Sequence, residues 1–404
     1  MRLLKNRKGA LRTAYAVILT AVITGVVVGG AVYYYAVSLA PAGPKKWKIG
    51  YVTYPFVDAW AVASETIAKW YAEDHHDIME LYTVVGSPEW TGLEQVKKGK
   101  ELIEAVGVDG LVISAENPTV LKSLVDYATD NNVPCMAYDV PVDSPDLLLY
   151  VGIANFDLGK EAAVKAREIM IEERGEVAGK VVVLVPPPEA TSYRDRYNGY
   201  KSVWADDANI EIVELGPLTV HTIDNAKKTV GSYLAAGNDF DVAWSYTGGT
   251  NIGIVQALLS EDMDPSEKIL VASDAYPLTL DYIELGYMKG STDQPVPYYA
   301  AICMKYMIDY LEGKSIPEVG DTITAADLDI EGEEHYGFDP WGYDEEIYLP
   351  AEVVDWKSNI ARPENWVYTF PWFHVGVAVI DESNADLPGL WGNFPVKWEE
   401  AVIT

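Results

Sequence analysis

Short, β-rich and largely apolar runs alternate with segments of helical period along most of the chain, and this alternation narrows the available folds more than any other feature. WKIGYVTY leads into a helical segment from about Asp58, and DIMELYTVV leads into TGLEQVKKGKELIEAV. GLVISAE leads into NPTVLKSLVDYATD, followed by VPCMAYDV. In the second helical segment Leu93, Val96, Ile103 and Val106 share one face; in the third, Val120, Leu121, Leu124 and Ala128 do. The strands are mostly continuous apolar runs, as expected of parallel strands covered on both faces.

The pattern then begins again with LLLYVGIAN, GKVVVLVPP, IEIVELG, DVAWSYT and KILVASD. A long helix follows from about Pro297 to Gly313, with Tyr299, Ile302, Cys303, Tyr306, Met307 and Tyr310 on one stripe. The expected fold is α/β, two doubly wound parallel-sheet lobes. Residues 47–141 plus 296–316 form the first lobe and 142–290 the second. The crossovers are expected near Pro141–Pro145, Gly290–Val296 and after about Pro317. Beyond that point the alternation stops: residues 317–404 complete the crossover and then read as an irregular C-terminal extension, acidic and rich in Trp, Tyr, Pro and Gly.

Residues 1–40 read as a signal and membrane anchor. Thr13 to Ala40 is 28 residues without a charge, longer than the roughly 20 that span a bilayer as a helix. Arg2, Lys5, Arg7, Lys8 and Arg12 precede it with no acid, so the N-terminus stays in the cytoplasm and the body lies outside, at the cell surface. Tyr33, Tyr34 and Tyr35 fall near the outer boundary, and residues 41–46 make a linker.

Composition excludes several functions. A formal charge of −31 repels phosphate backbones, so no nucleic acid is expected as a partner. With 49% hydrophobic residues, 27 Tyr and 12 Trp, wholesale disorder is excluded. Cys135 and Cys303 are too few for a zinc site or a disulfide scaffold and are expected as buried free thiols. The five histidines show no ligand spacing, and no nucleophile elbow, Walker loop or zincin motif is present. Gly248 to Gly253 reads as a tight turn and helix cap. Asp327, Asp329, Glu331 and Gly332 start like a calcium loop, but Phe338 stands where the twelfth-position Glu belongs, so an acidic surface loop is expected. No enzyme activity, metal or cofactor is expected.

Polar groups gather instead at the C-terminal ends of the strands, where open α/β sheets bind ligands. Asp139 ends CMAYD, Thr247 ends VAWSYT and Asp274 ends ILVASD; Tyr54, Phe56, Asp58 and Trp60 follow the first strand, and Arg196 enters the helix after GKVVVLV. Each alone is as readily a helix cap, a turn former or a core residue. Together they suit a small, neutral, hydroxyl-rich solute: carboxylates accept from adjacent hydroxyls, a guanidinium donates in a fixed fork, and aromatic faces cover the C–H surface of a ring. A phosphate or dicarboxylate would need more cations than one Arg.

These stretches carry a family resemblance. KIGYVTYPFVDAW, VDGLVISAENPTVLKSLVDYATDNNVPCMAYD, VGIANFDLGKEAA, TSYRDRYNGY, WSYTGGTNIGIVQAL, ILVASDAYPLTLDYIELGYMKGSTDQP and YLEGK, in that order, resemble the type I periplasmic binding proteins of the ribose/galactose class, the receptors of ABC sugar importers. The resemblance implies a ligand site of Phe56, Asp58, Trp60, Asp139, Arg196 (in an R-x-x-G-[FY] pattern with Gly199 and Tyr200), Thr247, Asn251, Asp274 and Gln294. It implies a small sugar as ligand, an ABC permease with its ATPase as partner, and a monomer. Val140 and Thr247-Gly248 depart from the family pattern, where an Arg or hydroxyl and an Asn or Asp pair commonly stand, with Asn251 placed to compensate. A nucleoside, a furanosyl signal or a polyol are the rival ligands, and a non-binding surface structural protein the rival of another class. Separately, RKGALRTAYAVILT resembles the class III, prepilin-like signal of archaeal surface proteins, with cleavage between Gly9 and Ala10; Ala14 stands where pilins carry Glu.

Overall fold

The computed structural model describes residues 45–394 except 56–58, 88–90, 189, 329, 331, 333–347, 360–365 and 367. The apolar stem, the Gly9–Ala10 junction, Phe56, Asp58 and most of the calcium-like loop therefore lie outside the described residues. Among the described residues no helix is long and apolar enough to cross a membrane.

The first lobe is laid down as β1 (Trp47–Thr53), α1 (Ala59–Asp74), β2 (Met79–Val85), α2 (Leu93–Glu101), β3 (Gly110–Ile113), α3 (Pro118–Asp130), β4 (Cys135–Tyr138) and β5 (Leu147–Gly152). The second contains α4 (Asn155–Arg174), β6 (Gly179–Leu184), α5 (Thr191–Trp204), β7 (Ile210–Leu215), α6 (Ile223–Ala235), β8 (Val242–Trp244), α7 (Gly248–Ser260), β9 (Ile269–Ser273), α8 (Pro277–Glu284) and β10 (Gly290–Asp293). Helix α9 (Val296–Leu311) returns to the first lobe, packing on α1 and against β3, β4 and β5. A tail of β11 (Thr322–Ile323), α10 (Ala325–Leu328), β12 (Ala351–Asp355), β13 (Pro371–His374) and β14 (Ala378–Ile380) follows.

One sheet runs β11-β12-β13-β5-β4-β3-β1-β2 and the other β14-β10-β9-β8-β6-β7. Strands β1 to β5 pair in parallel, as do β6 to β10. Each sheet is doubly wound, with its order reversing between β1 and β3 or between β6 and β8, the points where such sheets open a crevice. The central strands β3, β4, β8 and β9 are buried at every residue, while the edge strand β7 is only half-covered. That contrast is why the inner strands read as unbroken apolar runs.

Four features differ from the sequence expectations. LLLYVG pairs with β4 and belongs to the first sheet, so the first crossing falls at Ile153–Ala154 and not at Pro141–Pro145. The prolines mark only the β4–β5 connection, and pairing between distant segments decides which sheet a strand joins. The tail is also more regular than expected: β13 extends the first sheet beside β5, and β14 closes the second antiparallel to β10. The third crossing therefore lies between His374 and Ala378, well past Pro317. Finally, Leu93 is exposed while Gln95, Gly99 and Leu102 are buried. The buried residues keep helical spacing but lie on a face turned from the expected stripe, and Val96, Ile103 and Val106 are only half-buried, the last two in a π-turn over Leu102–Val106. Helix α9 keeps its stripe from Tyr299 to Met307, but Tyr310 is exposed. Cys135 and Cys303 are free and buried.

Helices α4 and α5 approach so closely that glycine is required on both. A Cβ on Gly159 would collide with the backbone oxygen of Arg196, and one on Gly199 with the backbone oxygen of Phe156. Gly159→Ala and Gly199→Ala are each expected to destabilise the protein by about 3 kcal/mol, the upper end for overpacking, because backbone cannot swing aside. Urea denaturation measures this.

Candidate functional site

Arg196 projects from α5 and is buried with Asp274, at 4% and 3% exposure. Its Nη1 donates to Asp274 Oδ2 at 3.0 Å and to the Tyr246 carbonyl at 3.1 Å, and its Nε donates to Asn155 Oδ1 at 2.8 Å. Gln294, the first residue after β10, donates through Nε2 to Asp274 Oδ1 at 2.8 Å and accepts from the Tyr299 hydroxyl at 3.2 Å. One acid at a strand end thus joins α5, the second crossing and α9. Burial opposes charge on Arg196, but Asp274, Tyr193 and Asp139 outweigh it and raise the guanidinium further. The ring of Tyr193 lies 5.7 Å from the guanidinium and 5.1 Å from that of Tyr246, forming an aromatic wall.

The first lobe contributes Asp139 at the end of β4. Tyr54 donates to its Oδ2 at 2.9 Å, and Tyr150 donates to its carbonyl at 2.7 Å. Trp60, the second residue of α1, packs on Tyr54 at 5.5 Å between ring centroids. Asp139 (φ 57°) and Asp274 (φ 66°) both adopt the left-handed region. Each N–H bonds the neighbouring strand, to Val151 at 2.9 Å and to Thr292 at 2.6 Å. The two lobes therefore present their acids through the same turn, a conformation that Asp tolerates better than most residues.

The two halves act electrostatically on one another. Asp139 contributes to the raised state of Arg196 across the lobes. Burial pushes the Tyr299 phenol well above its ordinary range, Asp139, Tyr150 and Asp293 push the same way, and Arg196 opposes them. Tyr299 thus stands among charged groups of both lobes.

Of the residues expected at a site, Arg196, Asp274 and Gln294 form one hydrogen-bonded group, with Asp139 and Trp60 on the first-lobe side. Thr247 and Asn251 are engaged elsewhere. Thr247 caps α7, accepting from the Thr250 N–H at 3.2 Å in a capping box. Asn251 accepts from the Ser245 N–H and donates to the Ser245 and Thr247 carbonyls, all at 2.7–2.8 Å, so its amide holds the β8–α7 turn. Asn155, Tyr246 and Tyr299 join this group without a sequence signal that marks them. Asn155 lies inside the matching stretch VGIANFD but ends an apolar run, and Tyr299 sits on the core stripe of α9; neither position distinguishes a buried polar anchor from packing.

Two doubly wound lobes are thus joined by three crossings, and the strand-end acid of the second pairs with Arg196. Over residues 49–315 the sequence matches the family described as periplasmic binding protein domain. The chain belongs to that family, whose members are non-enzymatic solute receptors acting outside the cytoplasm. Its fold is similar to a solute-binding protein of an ABC transporter from Actinobacillus succinogenes 130z with bound D-allose (TM-score 0.64, 16% identity, covering 84% of this chain and 99% of that one). Two proteins of Mycobacterium smegmatis are also similar. One is an ABC transporter solute-binding protein with bound glycerol (TM-score 0.62, 17% identity, 85% and 96% covered). The other is in complex with β-D-fucofuranose (TM-score 0.62, 16% identity, 88% and 97% covered). No curated protein matches the chain in sequence.

Removing one partner of a buried ion pair leaves the other charge stranded, at a cost of about 3–5 kcal/mol. Arg196→Met is expected to destabilise by that amount. Combined with Asp274→Asn in a double-mutant cycle of urea denaturation, it is expected to show a coupling of about 1 kcal/mol or more.

Proposed function

We propose that the protein is a cell-surface receptor that captures a small neutral sugar or related polyol between its lobes and delivers it to an ABC permease. The observation that carries this reading is the Arg196–Asp274–Gln294 group of the second lobe lying within electrostatic reach of Asp139 on the first. Two acids and one guanidinium leave acceptors and donors for vicinal hydroxyls, and the single cation is already balanced by Asp274, which disfavours an anionic solute. Tyr54, Trp60 and Tyr193 supply apolar faces for a ring. Solute bridging the lobes stabilises the closed form by its greater affinity for that form, and the closed form docks on the permease.

The sugar-, glycerol- and furanose-bound relatives agree with this chemistry, and the departures at Val140 and Thr247 make furanoses and polyols members of the same ligand panel. Phe56 and Asp58 follow β1 in sequence and complete the proposed ligand set. Residues 13–40 tether the receptor to the cytoplasmic membrane, with processing after Gly9 in the manner of the archaeal signals they resemble.

Calorimetric titration of the full-length chain in detergent with aldoses in pyranose and furanose form, inositol and glycerol is expected to give micromolar or tighter binding to at least one. Sugar phosphates are expected to give none. Silence across the whole neutral panel, with no shift in melting temperature, rejects the reading. Asp139→Ala is expected to weaken binding by about 2 kcal/mol, because ligand hydroxyls lose a half-buried charged acceptor. The tether has its own check: the protein is expected to stay with membranes after a carbonate wash, with an intact mass beginning at Ala10.

A further inference from the structure

Asp293 ends β10 one residue before Gln294, is fully buried, and is not a member of the proposed ligand set. Its Oδ1 accepts from the Ala275 N–H at 2.7 Å and from Trp391 Nε1 at 3.3 Å, and its Oδ2 accepts from the Tyr348 hydroxyl at 2.6 Å. Two of these donors come from the C-terminal segment. The third is the peptide N–H directly after Asp274, whose left-handed conformation persists only when its surroundings fix it. Asp293 supplies part of that fixing from the strand beside it. The matching turn at Asp139 is held at its carbonyl by a neutral group, the Tyr150 phenol.

The same segment also spans the two lobes. Trp391 meets Tyr276 of the second lobe edge-on at 5.0 Å, while Phe394 packs 6.1 Å from Trp70 on α1 and 6.4 Å from Tyr298 on α9. Tyr298 also donates to the Gly389 carbonyl at 3.3 Å. Trp391 and Phe394 are 1% and 3% exposed.

We infer that the C-terminal segment is a hinge clamp: Tyr348 and Trp391 hold Asp293 as a positioning residue for the Asp274–Arg196 pair, and the segment thereby sets solute affinity and lobe opening from outside the cleft. The affinity part rests on the solute-receptor reading; the opening part does not. The groups facing Asp293 are Asp274 on the β9 turn, Tyr348 of the C-terminal segment and Tyr299 of α9, with Arg196 reached through Asp274. Burial raises the Asp293 carboxyl to about 7, Tyr348 and the Ala275 and Gln294 N–H groups oppose this, and Asp274 adds to it. Protonation turns an accepting oxygen into a donor and removes the charge-assisted bonds of the clamp. Affinity therefore falls as pH drops from 8 to 6.

The test uses the full-length chain in detergent with Tyr348→Phe, Trp391→Phe and Asp293→Asn, each close to the original shape. Spin labels at Lys97→Cys and Ser232→Cys report the distance between lobes. Tyr348→Phe and Trp391→Phe are expected to weaken solute binding about tenfold and to lengthen or broaden the interlobe distance without solute. The wild-type chain is expected to lose affinity between pH 8 and pH 6, and Asp293→Asn to show a flat profile. Variants that melt earlier yet keep wild-type affinity, distances and pH profile assign the segment a purely structural role and overturn the inference. If the wild-type chain binds no solute at all, the receptor reading fails separately. The interlobe distances then decide the clamp: unchanged distances overturn it.

Discussion

The arrangement depends on one buried ion pair. A guanidinium and a carboxylate removed from water need further hydrogen bonds, and Arg196 and Asp274 find part of them in Asn155, the Tyr246 carbonyl and Gln294. Those partners lie on α4, at the end of β8 and at the second crossing. To keep the pair satisfied, α5 must lie hard against α4, which is why glycines stand where the two helices touch. A packing requirement and an electrostatic one therefore coincide at the same residues.

The pair sits where the chain leaves the second lobe, so any change in the angle between the lobes acts on it. Gln294 ties Asp274 to Tyr299, and Tyr299 feels charges on both sides of the cleft. The first lobe answers with a quieter version of the same turn, in which Asp139 is steadied by the phenols of Tyr54 and Tyr150. The two acids share a backbone conformation but not an environment: one is neutralised by a cation, and the other is held by neutral hydroxyls. An uncharged, hydroxylated guest suits that asymmetry.

The acidic tail, which looks irregular as a sequence, completes both sheets. Strand β13 joins the first, β14 caps the second, and the aromatic residues beyond pack across the hinge. Its high Trp and Tyr content is the composition of a segment that must bury itself against two surfaces at once. Each of those rings carries a large apolar area together with a polar edge.

The sequence alone determined the α/β class, the doubly wound halves and the strand-end acids, because each rests on a local pattern: a parallel strand buried on both faces is largely apolar, and an acid that ends it stands out. Asp274 was legible for the same reason, at the end of ILVASD, and Arg196 as a cation in the helix after GKVVVLV, whereas Gln294 was legible only through the family resemblance. Only the tertiary structure decided that LLLYVG joins the first sheet, that the tail supplies strands to both, and that Thr247 and Asn251 hold a turn. It alone brought Asn155 and Tyr299 to the ion pair and Tyr348 and Trp391 to Asp293. Strand partnership and hydrogen bonds spanning 41 to 98 residues depend on what lies opposite in space, and no local pattern of residues encodes that.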